Sequence, residues 1–151
     1  MKKTNTCARL SIEAFSALFE LRSFINQSQK KVLALLMKGE EAEFFMNQLI
    51  ALEKLVSSMP VTYQQDGKGD AAVVYLHYFA GGSDWYITEK DMAGGVAQAY
   101  GLAILNGDLE MAEMGYISIA ELTQCGVEID LYFKPCTLGQ IKKTRGLLLE
   151  I

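Results

Sequence analysis

The stretch HYFAGGSDWYITEKD, residues 77–91, holds the one histidine and the one tryptophan of the chain, set among carboxylates and further aromatic side chains. His77 with Asp84, Glu89 and the more distant Glu113 has the composition of an acid–base or metal-assisted hydrolytic site. An imidazole can take up and return a proton near neutral pH, and carboxylates can orient it or bind a cation. The same residue types also suit a packed corner of a sheet, where a strand histidine hydrogen-bonds a neighbour and a tryptophan keeps its indole N–H at the rim. No second histidine or cysteine stands near His77 at zinc-ligand spacing, and Ser83 lacks the G-x-S-x-G frame of a strained nucleophile turn. The motifs therefore assign no catalytic residue, no metal and no cofactor. If the chain is an enzyme, His77, Asp84, Glu89 and Glu113 are its candidate residues.

Carboxylates recur beyond this stretch. Asp84, Glu89, Asp91, Glu110, Glu113, Glu128 and Asp130 all fall near strand ends or turns, where they either converge on one rim or form a solvated acidic face. Glu128 and Asp130 alternate with Val127, Ile129 and Leu131, so the two acids share a face. Asp84, Glu89, Glu113, Glu128 and Asp130, with the aromatic anchors Trp85, Tyr86 and Tyr116, make the expected binding set. The glycines of DGKGD, residues 66–70, precede a strand and lack the Lys-Ser/Thr of a phosphate loop, so they read as a turn.

The elements that must position these side chains follow from periodicity. Ile12, Phe15, Leu18, Phe19, Leu21 and Ile25 predict a helix over 11–27 with Ser11 as its N-cap, and a second helix runs from Ser28 to a left-handed stop at Gly39. GEEAEFF opens a third, whose stripe of Phe45, Leu49, Leu52, Val56 and Met59 ends at Pro60. Beyond it the period shortens to two. AAVVYLHYF and WYITEKD predict a hairpin over 71–90 with a loop of about four or five residues, and AQAYGLAIL and EMAEMGYIS flank the Asn-Gly turn at 106–107. SIAE and TLGQ match the capping box and open two short helices, with VEIDLYF as a last strand between them. The expected fold class is α+β: an N-terminal helical segment of three helices over 1–60, then, over 61–151, an antiparallel sheet of about five strands with two short helices, the whole forming one compact unit.

Half of the 151 residues are apolar and 21% charged, a composition that supports a folded core and excludes a disordered chain. Residues 1–62 carry a net charge of +2 and residues 63–151 a net −6. An acidic C-terminal part repels nucleic-acid phosphates and suits basic partners. No apolar run is long enough for a membrane span, and the basic start has no continuous apolar segment behind it, so a cytoplasmic location is expected. Cys7, Cys125 and Cys136 are odd in number and widely spaced, as reduced thiols would be.

Three motifs together resemble a family of small proteins and domains, of unknown function, carried by plasmids, phages and integrated elements. They are Trp-Tyr-x-x-Glu at Trp85, Tyr86 and Glu89; Glu-x-Gly-Tyr-x-Ser-x-x-Glu-Leu at Glu113, Gly115, Tyr116, Ser118, Glu121 and Leu122; and acid-x-Asp-Leu-x-Phe-x-Pro at Glu128, Asp130, Leu131, Phe133 and Pro135. The likeness spans roughly residues 60–143, the helical segment marks a subgroup, and Ile129 stands where many relatives carry Arg. The resemblance implies an accessory role in a mobile element and lends no catalytic residues. The expected function is binding of a protein partner, basic or nucleic-acid-handling, such as a host-defence component of the restriction or CRISPR type. The alternatives are a small hydrolase or metal-dependent enzyme built on His77, and a DNA-associated protein that contacts phosphate through Lys2, Lys3, Arg9, Lys30 and Lys31.

Overall fold

The structure, a computed structural model, describes residues 2–147, with side chains described from Thr6 onward. The Lys2 and Lys3 side chains lie outside the described residues. Three helices, α1 (Lys2–Glu20), α2 (Gln27–Leu36) and α3 (Ala42–Ser58), precede the strands. Strands β2 (Leu76–Ala80), β3 (Ser83–Asp91), β4 (Gly95–Ile104), β5 (Glu113–Ile117) and β6 (Glu128–Ile129) form an antiparallel sheet in the order β5-β4-β3-β2-β6. Strands β1 (Val73–Val74) and β7 (Cys136–Thr137) pair separately, and α4 (Ile119–Gln124) and α5 (Leu138–Arg145) are the two short helices. The fold is α+β.

Helices and sheet share the larger core. Ala14 and Leu21 of the α1 region, Leu49 and Val56 of α3, Leu76 and Tyr78 of β2, Ile87 of β3 and Ile129 of β6 are all buried in one cluster. Tyr78, fully buried, donates its hydroxyl to the Phe24 carbonyl at 2.6 Å, tying sheet to helices. Asn26 caps α2 by accepting from the Gln29 N–H and donates to the Gly126 and Val127 carbonyls. Gln29 then pairs its side-chain amide with both backbone groups of Ile129. A single glutamine thus covers the open edge of β6, where unpaired backbone groups would otherwise be exposed.

The opposite face of the sheet carries a smaller core of Ala72, Val74, Tyr86, Leu102, Ile104, Leu138 and Ile141. Helix α5 lies against it, started by a complete capping box in which Thr137 and Gln140 satisfy each other's backbone N–H. That cap fixes the phase of the helix, so Leu138, Ile141 and Lys142 are its buried residues.

Several boundaries differ from those the sequence predicts. Ser11 lies inside α1, which begins at Lys2 and ends at Glu20, so it caps nothing. Helix α2 ends at Leu36 with a right-handed Met37, and Gly39 is not among the left-handed glycines. The β2–β3 connection is the two-residue turn Gly81-Gly82, shorter than the loop of four or five expected, and Ala80 pairs directly with Ser83. The run 71–79 is not one strand. Val74 belongs to the small core and Leu76 to the large one, which regular alternation forbids, and the break lies at Tyr75. VEIDLYF pairs for two residues only. The Asp130 side chain accepts from the Tyr132 N–H at 2.9 Å, a local turn that bends the chain off the sheet.

Candidate functional site

Two polar regions border the small core, and α5 contributes a side chain to each. The first is built on His77. Register pairs His77 with Tyr86, and the two rings stack with centroids 4.6 Å apart and planes 8° from parallel. Phe79 and Phe133 contribute two more rings at 5.9 and 5.7 Å. The imidazole edge meets a carboxylate at each nitrogen: Nε2 lies 2.7 Å from Asp84 Oδ1 and Nδ1 lies 3.0 Å from Asp130 Oδ2. Asp84 spends its other oxygen on Arg145, with Oδ2 3.1 Å from Nη1. A continuous line of contacts therefore runs Asp130, His77, Asp84, Arg145, joining the turn after β6, strand β2, strand β3 and the end of α5. Burial raises the Tyr86 phenol above its ordinary value; Asp84 adds to the rise, and the Arg145 guanidinium works against it.

This arrangement leaves His77 little to do chemically. A general base needs a free nitrogen lone pair directed at a substrate proton, and both ring nitrogens here face carboxylates at hydrogen-bond distance. Four elements are tied by charge-assisted contacts, a structural role.

The second region is a cleft of about 380 Å³ between the turn 62–69, the β3–β4–β5 end of the sheet and α5. Its base is Glu89, only 4% exposed. Alternation alone would send Glu89 and its neighbour Thr88 to opposite faces. The β3–β4 register shifts on both sides of Glu89, and that irregularity brings both side chains to the cleft. Glu89 Oε1 accepts from the Gln65 N–H at 3.3 Å and Oε2 meets the Thr88 hydroxyl at 3.1 Å. The Thr88 hydroxyl lies equally close to the Tyr100 carbonyl, so one hydrogen serves two acceptors. Gln65 is itself fixed by bonds to the Val73 N–H and to the Val73 and Thr88 carbonyls. The stretch 62–69, whose glycines are expected only to make a turn, is thus integrated into the cleft wall.

The cation that lines this cleft is already committed. Lys142 Nζ lies 2.6 Å from Asp70 Oδ1, and among the described residues no ion pair reaches Glu89. The walls include Tyr63, Tyr100 and Tyr116, the last two with rings 77° from parallel. The Tyr63 and Tyr116 hydroxyls hydrogen-bond to each other, and that bond raises the Tyr116 phenol above its ordinary value. Tyr63 has φ +78, a left-handed conformation that costs a bulky residue about 1 kcal/mol or more.

A second groove, of about 590 Å³, adjoins the cleft and shares Met114 and Lys142 with it. Leu109, Glu110, Glu113 and Leu147 line it. The residues singled out in sequence are therefore distributed. His77, Asp84, Tyr86 and Asp130 meet in the first region, Glu89 and Tyr116 line the cleft, and Glu113 lines the groove. Glu128 is exposed at the far edge strand, and Trp85 packs against the large core on the helical side. The acids do not converge on one rim, and no three His, Cys, Asp or Glu side chains among the described residues are grouped to hold a metal. Cys7, Cys125 and Cys136 are free.

Sequence reasoning missed Gln65, Thr88, Tyr63, Tyr100, Lys142 and Arg145. Two of these had a signal. The TLGQ cap sets the phase of α5, and Lys142 and Arg145, three residues apart, then point to the same side as Leu138 and Ile141. No helix among the described residues is long and apolar enough to cross a membrane. Comparison with protein-family models, curated proteins and solved structures finds no match.

Proposed function

We propose that the chain is a cytoplasmic accessory protein of a mobile genetic element that acts by binding a protein partner, basic or nucleic-acid-handling, as the components of host-defence systems are. The observation that carries this reading is the groove beside α5. It combines Glu110 and Glu113 with the apolar Leu109 and Leu147, and continues into the tyrosine-lined cleft through Met114 and Lys142. An acidic, partly apolar channel of this kind complements an extended basic segment, with charge guiding the approach and aromatic side chains anchoring it. The net −6 of residues 63–151 acts in the same direction.

The hydrolase reading has less support, because both nitrogens of His77 meet carboxylates while Glu89 and Glu113 lie in other regions. For DNA contact, Lys30 donates one of its three hydrogens to the Arg22 carbonyl at 3.0 Å, and the net −6 of residues 63–151 repels phosphate. The protein-binding reading is tested by affinity capture from a bacterial lysate at graded salt, repeated with Glu110→Lys plus Glu113→Lys. A partner held at low salt and lost in the double variant is the expected result. Equal capture by both proteins, or no specific partner at any salt, refutes it.

A further inference from the structure

We propose that the cleft above Glu89 is a binding site for an organic cation of the ammonium or guanidinium type. A carboxylate 4% exposed is normally stabilised by an ion pair or by several strong donors. Glu89 has one backbone N–H at 3.3 Å and a share of one hydroxyl hydrogen, although an ionised carboxylate offers about four acceptor positions. Its neighbour Lys142, which also lines the cleft, is held by Asp70 at 2.6 Å. The folded chain thus keeps a carboxylate largely out of water, facing an open volume, without a counter-ion among the described residues.

The shape and walls of that volume define the ligand. About 380 Å³ is within the range of small-ligand pockets, roughly 300 to 1,000 Å³. Tyr63, Tyr100 and Tyr116 supply aromatic rings, which attract cations through their negative faces, and Met114 and Leu138 supply apolar contact for an alkyl stem. The carboxylate at the base meets the charged head. A lysine or arginine side chain has this chemistry, and so does a free alkylammonium compound. The Tyr63–Tyr116 hydroxyl bond and the left-handed Tyr63 lie on the walls of the same cleft. The inference stands whether or not a protein fills the adjoining groove, since that groove relies on Glu110 and Glu113 and this site on Glu89.

The test is an NMR titration of the full chain with Nα-acetyl-lysine methylamide, Nα-acetyl-arginine methylamide and tetramethylammonium, against the uncharged Nα-acetyl-norleucine methylamide. The cations should shift the amides of Glu89, Tyr100 and Tyr116, and norleucine should not. Glu89→Gln should weaken cation binding at least about ten-fold while keeping a folded spectrum, and Tyr116→Leu, at an exposed position, should weaken it several-fold. A lysine- or arginine-containing peptide that binds more tightly than the single residue would assign the cation to a protein partner. Equal affinity would assign it to a free small molecule. Equal shifts from norleucine, unchanged affinity in either variant, or loss of fold in Glu89→Gln would overturn the proposal.

Discussion

The His77 region and the Glu89 cleft border the same small core, and each sets polar groups among tyrosines, yet they treat charge in opposite ways. Around His77 every ionisable group has a partner: Asp130 and Asp84 take the two ring nitrogens, and Arg145 takes the remaining oxygen of Asp84. In the cleft the more deeply buried carboxylate has no cation within ion-pair distance among the described residues. Burying a charge is unfavourable unless it is paired. A closed network is what a fold needs to hold several segments in place, while an open one is a cost that ligand binding can offset. The difference separates a polar cluster that shapes the molecule from one that is free to recognise something. It also moves attention away from the one histidine, the residue with the most familiar chemistry.

The largest effect should come from opening the closed network. Asp84→Ala leaves the His77 ring, which is largely buried, and the Arg145 guanidinium, which is partly buried, without their shared acceptor. Removing one member of such a set costs about 3 kcal/mol, or a fall in Tm of roughly 6 to 12 °C for a chain of this length. Urea or thermal unfolding measures it. A loss under about 1 kcal/mol would mean that solvent already screens these charges and that the two regions differ less than their geometry indicates.

A smaller effect appears at alkaline pH and again sets the regions apart. The Tyr86 phenol is raised by burial and by Asp84, so the folded chain keeps its proton at a pH where the unfolded chain has lost it. The contribution is complete below the ordinary phenol value of about 10 and falls away as pH rises from there through the raised value of the folded state. Tyr86→Phe should therefore lose stability less steeply above about pH 10 than the parent chain does. Tyr116 is also raised, by its bond to Tyr63, but lies in the open where solvent screens the effect, so Tyr116→Phe should flatten that slope less than Tyr86→Phe does. Parallel stability curves for Tyr86→Phe and the parent would remove Tyr86 from the closed network.

How much of this was readable in the sequence follows from the range of the interactions. The helical stripes, the Ser118 and Thr137 caps and the hairpin turns are local signals, and the α+β organisation follows from them. Asp84 and His77 are seven residues apart across a tight hairpin, close enough to be considered together. Asp130 and Arg145 reach the same cluster through tertiary packing, which no spacing rule reports. The cleft was hidden for another reason. It depends on register shifts beside Glu89 and on a tyrosine at positive φ, both departures from the regular geometry that periodicity assumes. Glu89 and Thr88 look like residues of opposite faces until the irregularity is known.

The smallest expected effect gives the sharpest comparison. Glu89→Gln is a change of one atom at a site more buried than Asp84, so burial alone predicts the greater damage there. Charge accounting predicts the reverse. The glutamine oxygen can still accept from the Gln65 N–H, its amide can donate to the Thr88 hydroxyl oxygen, and the buried charge, which has no ion pair among the described residues, disappears. Thr88 is then released to give its one hydrogen to the Tyr100 carbonyl. Stability should stay within about 1 kcal/mol of the parent chain or rise, since replacing an uncompensated buried charge by a neutral group of the same shape is often favourable. The measurement is the urea midpoint of Glu89→Gln beside that of Asp84→Asn, the matching acid-to-amide change in the closed network, which should be the more destabilised of the two. If Glu89→Gln proves the more destabilised, the cleft carboxylate belongs with the structural charges and the contrast between the two regions fails.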